Sequence, residues 1–555
     1  MSMELRMLLA IVLSFLIFFL YQVVFVKEVP VPKKELASEG KAVEEGAPAE
    51  AEAEAVKLLD EEPLVEELDV KEEERPGRII TVSTPLYVAE VAERGGGFKS
   101  FKLKEYKESL AADSPMRDLV RLAGAQDCTP RMSFSGKALA GLGEAVFTAG
   151  IDTDVVDVSD QEKALSLTWT SPEGVSIVKT YSFSPETYEM GLEIKVRNLS
   201  SSPIEENLIL SLREIKDTEG SRYVFSGPAA LINGELEEIE AKKIEKKDAY
   251  TGRVGWVAIE DQYFASAIIP EKAEEASVKL SLGAKNVLDS AYVDPSGPVS
   301  VKTERTYKYG LYFGPKSLRD LGSAGSALRR ILDFGFFDII AKPLLHGMNF
   351  VYRYVPNYGI AIILMTILVK VLFWPLSNKS YKSMGQMKRL QPKMAEIRAK
   401  YKNDKKMMNQ ELMNLYKVYK VNPLGGCLPM VMQIPVFFAF YKMLYQAIEL
   451  RHAPFFLWVN DLAAPDRLFD LGVKVPMMEP PYGIPVLTLI MGASMFLQQK
   501  MTPPPGDPTQ AKMMMFMPVF FTFIFINFPS GLVLYWLVNN VLSMAQQYYI
   551  NKKMA

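Results

Sequence analysis

The chain has 555 residues, 49% of them hydrophobic and 23% charged, with a formal net charge of −3. Two histidines and two cysteines are too few for a zinc-type centre or a disulfide framework. No G-x-x-x-x-G-K-[ST], H-E-x-x-H or G-x-S-x-G run occurs, so P-loop ATPases, zincins and α/β-hydrolases lack their signatures here.

Leu5–Val26 is a largely apolar run with Arg6 near its start. It is longer than the apolar core of a cleaved signal peptide, and FFLYQVVFVKEVP offers no A-x-A-like site. Residues 1–26 read as a retained transmembrane signal anchor. Residues 27–77 are rich in Ala, Glu, Pro and Val without amphipathic period. Such a segment buries too little apolar surface to offset its chain entropy, and reads as a disordered acidic tether.

Over 78–314 the period becomes two. Leu165-Leu167-Trp169, Tyr181-Phe183, Leu192-Ile194-Val196 and Leu208-Leu210-Leu212 alternate with polar neighbours, separated by turn signals such as Ser171-Pro172-Glu173-Gly174. The pattern predicts an antiparallel all-β sandwich without a catalytic cluster of titratable groups. Over 315–340, Leu318, Leu321, Leu328, Ile331 and Leu332 fall on one stripe, which predicts an amphipathic helix lying at a membrane interface.

Tyr358–Leu376 (YGIAIILMTILVKVLFWPL) is nineteen residues with one charge, Lys370. A helix of that length crosses a hydrocarbon core about 30 Å thick. A cation inside it costs roughly 2.5–3.5 kcal/mol, so Lys370 is either functional or snorkels to interfacial water along its own stem. Residues 378–421 follow as a basic loop. Within Asn378–Lys420 there are twelve Lys or Arg against three acids, which marks a cytoplasmic segment. Met384, Met387, Leu390, Met394, Ile397 and Tyr401, then Met408, Leu412, Leu415 and Tyr419, recur at helical steps around Asn403-Asp404. A helical hairpin is predicted, with a Met-rich face suited to ribosome, lipid head groups or nascent chain.

Four more apolar segments close the chain: Cys427–Leu444, Ile484–Leu497, Met513–Phe528 and Gly531–Met544. The intervening loop Glu449–Tyr482 has three basic and five acidic residues, as expected outside, while Lys500, Lys512, Lys552 and Lys553 fall inside. The reading is a polytopic α-helical membrane protein of six transmembrane helices, a signal anchor plus a five-helix core over 341–555, with both termini cytoplasmic.

Asn422–Phe437 (NPLGGCLPMVMQIPVF), Leu390–Tyr401 (LQPKMAEIRAKY) and Phe528–Trp536 (FPSGLVLYW) resemble the YidC membrane protein insertases. The resemblance covers Phe337–Lys553 closely, and the anchor, tether and β domain match the family's Gram-negative architecture. It implies a periplasmic β domain of supersandwich type and a core in the bacterial inner membrane. It also implies a polar groove open to cytoplasm and lipid. Lys370 takes the place of the groove's positive residue, where the bacterial pattern usually has arginine, and lysine differs in being a compact charge that can lose its proton on burial. Thr366 and Trp536 are the substrate-contacting positions the resemblance points to. Gln433 is added from its polarity alone, as a groove residue or as a helix–helix hydrogen bond. The implied partners are nascent membrane proteins, the phospholipid bilayer, the Sec translocon and the ribosome, with no cofactor, no catalytic residue and no specific nucleic-acid sequence.

The physics agrees with that function. A nascent apolar helix must leave water while its polar flank crosses hydrocarbon, and a half-depth wet groove shortens the crossing. Burial of the client's apolar surface supplies the driving force. A transporter or channel for small solutes would be built on inverted repeats with broken helices, and five core spans with a basic hairpin do not divide that way. An intramembrane protease would need paired aspartates or a serine with a base inside the spans, and none is present.

Overall fold

Side chains of alternating polarity pair into strands wherever both neighbours alternate in the same sense. The computed structural model describes residues 77–555 apart from 125, 137–138, 216–223, 284–285, 326, 420, 422–427, 503–507 and 555. The expected anchor (1–26) and all but the last residue of the expected tether (27–77) therefore lie outside the described residues.

The β domain runs from strand Ile79–Ser83 to strand Thr303–Pro315. Among the described residues it forms a 5-stranded and a 13-stranded sheet. One pair, Ile79–Ser83 beside Val155–Asp157, is parallel. Elsewhere the register follows the alternation: Leu192 and Ile194 lie opposite Tyr309 and Tyr307, and all four are buried. Aromatic rings join the two layers. Phe98 of the smaller sheet lies 5.3 Å from Tyr181 and 5.4 Å from Phe313 of the larger, and such pairs add about 0.5–1.5 kcal/mol beyond the area they bury.

A cation without a carboxylate partner among the described residues sits inside this core. Lys179, 1% exposed, donates from its amine to the carbonyls of Gly95 (2.7 Å) and Gly96 (3.3 Å), and stands 4.6 Å from the centre of the Phe147 ring. Burial pulls its pKa down from 10.5 to about 8, with Cys128 acting weakly in the opposite sense. Between those two values Lys179 holds less proton in the folded chain than in the unfolded one, so this residue's contribution to stability rises with pH across that window, while Cys128, its thiol pushed up by burial, contributes in the opposite sense. The gain from pH 8 to 9.5 is about 1.5 kcal/mol. In thermal unfolding of the detergent-solubilised full chain, stability should rise with pH over this window more steeply, or fall less, in the wild type than in Lys179→Met. An unchanged slope in the variant would assign the rise to other groups.

The segment expected as one interfacial helix over 315–340 is broken. It makes a turn at Asp320–Ser323 and 3₁₀ turns at Leu328–Ile331 and Gly335–Phe337, and then helix α1 begins, Asp338–Tyr354. Gly325 (φ +101°) and Gly335 (φ +62°) take left-handed backbone that ends a continuous helix. The apolar stripe turns inward: Leu321, Leu328, Ile331 and Leu332 are buried with the β core, and the Trp256 indole donates to the Ala327 carbonyl at 3.0 Å. An outward apolar face appears instead on α1, at Ile339, Phe350 and Tyr354.

The nineteen-residue apolar segment is likewise divided. Helix α2 covers Tyr358–Leu372, N-capped by Asn357, whose side chain accepts from the Ile360 amide. Helix α3 covers Trp374–Lys400 and leaves α2 at 66°. Pro375 in the first turn of α3 fits the break at Phe373, because it has no N–H to donate to the Val371 carbonyl four residues back, and a proline is tolerated only where a new helix starts. Helix α4, Lys405–Val418, starts on Asp404, whose carboxylate accepts from the amides of Lys406 and Met407 at 3.0 Å. Leu390 and Met394 of α3 pack with Leu412 of α4 and Val421, so the two helices form the hairpin that their spacing predicts.

Helices α5 (Leu428–Gln446), α6 (Val486–Met501), α7 (Pro508–Phe525) and α8 (Ser530–Met554) complete the chain. Among the described residues no single helix is long and apolar enough to cross a membrane, while α2 and α3 meet that test together as a bent pair. The buried apolar cores of the β domain and the helices are continuous, and polar contacts add to the junction. Gln262 donates to the Tyr445 carbonyl at 2.7 Å, and Arg451 to the carbonyls of Lys107 (2.6 Å) and Glu108 (3.2 Å). Arg117 and Arg451 each place a guanidinium 5.6 Å from the centre of the Phe264 ring.

Candidate functional site

The last helix organises the polar groups of the helical region. Trp536, Asn539 and Ser543 are spaced by three and four residues along α8, which puts them on one face. Lys370 lies in the last turn of α2, where a cation suits the negative end of the helix dipole. Its amine donates to the Ser543 hydroxyl at 2.7 Å, and Tyr381 of α3 hydrogen-bonds the same hydroxyl. Ser543 itself donates to the Asn539 carbonyl at 2.7 Å. Among the described residues no carboxylate lies within ion-pair distance of Lys370.

One turn along, Gln433 of α5 donates to the Asn539 side chain at 2.6 Å and also hydrogen-bonds Tyr535. This is the helix–helix hydrogen bond that its polarity allows, and it ties α5 to α8. Trp536 stands over an aromatic cluster, with Phe437 at 4.7 Å, Phe525 at 5.2 Å and Phe521 at 6.0 Å. Its indole N–H is buried without a hydrogen-bond partner. Thr366 is buried, and its hydroxyl donates to the Ile362 carbonyl at 2.7 Å within its own helix.

The structure thus brings Lys370, Gln433 and Trp536 onto one stripe of α8 and leaves Thr366 bonded within α2. It adds Tyr381, Asn539 and Ser543, which the sequence reading passed over. Their signal was present: Asn539, Asn540, Ser543, Gln546 and Gln547 interrupt an apolar run at helical spacing. Polar residues so placed in a buried helix seek partners on neighbouring helices. Asn540 finds Ser494 at 3.0 Å and Gln547 the Met501 carbonyl at 2.9 Å, both on α6.

Apolar surface surrounds this stripe. On α7, Met515, Phe516, Val519, Phe520 and Phe523 form a continuous exposed row at helical spacing, and on α2 Leu364, Leu368, Val371 and Leu372 are exposed. Such a contiguous apolar face on a folded protein marks contact with lipid or with another apolar chain.

Residues 350–555 match the family described as 60Kd inner membrane protein, and residues 79–346 match the YidC periplasmic domain. A protein of Syntrophus aciditrophicus named membrane protein insertase YidC is 42% identical, over 99% of this chain and 100% of its own length. One of Geobacter metallireducens with the same name is 40% identical over 100% of this chain and 99% of its own. Among solved structures, an active YidC insertase with its first transmembrane domain resolved covers 85% of this chain and 94% of that one, at 18% identity and a TM-score of 0.37.

Proposed function

The chain belongs to the YidC family and is a membrane protein insertase of the inner membrane, and from that premise we propose that Lys370 and the α8 stripe receive the polar flank of an incoming client. The observation that carries this is the amine of Lys370. It is held by Ser543 and lies beside no carboxylate among the described residues, so its charge is available to an acidic residue of the client. Trp536 and its aromatic neighbours then flank the path of the client's apolar helix, and the exposed row on α7 gives that helix a lipid-like slide. Gln433 acts by fixing α5 against α8, and Thr366 by its bulk one turn from Lys370. No covalent bond forms or breaks. The energy comes from removing the client's apolar surface from water, at roughly 25 cal/mol per Å².

In this reading the protein spans the membrane six times, through the 1–26 anchor and the five helices α2, α5, α6, α7 and α8, with both ends in the cytoplasm. The 27–77 tether and the β domain are periplasmic, and the α3–α4 hairpin is cytoplasmic. The charge segregation around these segments supports the arrangement. Helices α2, α6 and α7, with 15, 16 and 18 residues, are short for a bilayer and fit one that is locally thinned. The basic hairpin is the surface to which ribosome and nascent chain come, and the protein acts alone or with the Sec translocon.

Sidedness has a direct test. Reporter fusions at Asn403, in the hairpin turn, should read cytoplasmic, and fusions at Asp466, between α5 and α6, should read periplasmic. The opposite pair of readings would overturn the arrangement.

A further inference from the structure

Between α5 and α6 the chain builds a short finger whose apolar side chains face outward. Phe469 is 73% exposed, Val473 63%, Met477 79% and Leu471 45%. Phe469 (φ +60°) and Met477 (φ +63°) stand in the left-handed region, an uncommon and strained conformation for bulky residues.

The base of the finger is rigid. Leu468 and Ile484 pair across it, and the Leu471 amide donates to the Tyr482 carbonyl at 2.7 Å. Arg467 donates to the carbonyls of Pro481, Asp466 and Ile526, each at 2.8 Å, and to the Asn527 side chain at 3.2 Å. The buried Asp466 carboxylate accepts from the Trp458 indole at 2.6 Å and from the amides of Leu487 and Thr488 in the first turn of α6. Many of the base's backbone polar groups are therefore satisfied within the protein, which suits a loop at the edge of hydrocarbon.

Helix α6 supplies the reason for such a loop. Its 16 residues make about 24 Å of helix against a core about 30 Å thick, a shortfall of roughly 6 Å. The apolar surface also continues from the finger through Ile484 to Leu489 and Ile490, which are exposed in the first turns of α6. We propose that the 468–484 finger is an interfacial anchor, its tip seated in the lipid of the outer leaflet, where it completes the short span of α6. The naming of the leaflet rests on the sidedness proposed above; the seating in lipid does not.

Val473→Cys and Met477→Cys, each labelled with an environment-sensitive fluorophore in the full chain, test the seating. Cys128 is buried, and Cys427 is replaced by serine so that labelling is confined to the introduced thiol. In vesicles containing this protein alone, lipids bearing a nitroxide near the head group should quench both labels at least twofold more than a label at the exposed β-domain position Glu162. Quenching no greater than at Glu162, with full access to aqueous iodide, would overturn the proposal and leave the tip as a protein-docking surface. Nitroxide lipid in both leaflets reads depth from either side. A wrong sidedness therefore leaves this result intact and shows only with a membrane-impermeant thiol reagent. Val473→Asp combined with Met477→Asp should lower client insertion at least threefold in thick long-chain bilayers and little in thin ones. Equal effects in both would overturn the span-completing role.

Discussion

Lys370→Glu will sharply reduce insertion of clients whose translocated segment is acidic, while Lys370→Arg will retain most activity. Two unit charges about 5 Å apart interact by roughly 0.8 kcal/mol in water and roughly 3 kcal/mol at the effective dielectric of a protein surface. Reversing the sign turns that attraction into an equal repulsion, a swing of at least roughly 1.7 kcal/mol, and so costs at least about fifteenfold in insertion for each acidic residue that passes near position 370. Neutral replacements such as Lys370→Gln should fall between, with a loss that tracks the client's acidic count. The rival reading is a lysine that merely reaches for water, and under it removing the charge relieves a cost. Three clients differing only in the number of acidic residues in the translocated segment separate the two in reconstituted vesicles. If wild type and Lys370→Glu insert all three equally, the charge has no part in recognition.

Removing the β domain will leave insertion largely intact, whereas removing Lys382–Tyr419 will abolish it. The polar contacts that join the β domain to the helices, Gln262–Tyr445 and Arg451–Lys107 with the Phe264 ring, involve none of Trp536, Asn539 and Ser543. The hairpin is different. Its first helix carries Tyr381, which shares Ser543 with Lys370, and it packs against α8 itself. The deletion must end at Phe334 and not at the last strand, because Leu321, Leu328, Ile331 and Phe334 are buried with the β core and would be stripped bare by a shorter cut. A depletion strain complemented with each deletion, at matched protein level, gives the answer. Loss of growth with the 78–334 deletion would place essential function in the β domain.

Period two made the β core legible: Leu165, Leu167, Ile177, Tyr181 and Phe183 are all buried where the alternation puts them. The hairpin's two helices were legible too, since the apolar period restarts after Asn403-Asp404 and Asp404 caps the second helix. Two boundaries were not. An apolar stripe at helical spacing over 315–340 says that a face is buried but not against what, and here the β core takes it while Gly325 and Gly335 break the helix. At Tyr358–Leu376 hydropathy runs on past Phe373, but Pro375 does not allow the backbone to follow. The site was half visible. Lys370 stood out as a charge in an apolar run, whereas its partner Ser543 is a small hydroxyl whose importance depends on a contact 173 residues away.

The bend at Phe373 has a mechanical side. Only that residue separates α2 from α3, and α3 is 27 residues, about 40 Å of stiff rod. Tilting the rod by about 5° swings its far end through roughly 3–4 Å, while the near end, where Tyr381 and Lys370 grip Ser543 together, shifts by a small fraction of that. The hairpin is thus the long arm of a crank and Lys370 sits beside its axle. A load pressing on the basic tip would be geared down to a fine adjustment of where that single charge points.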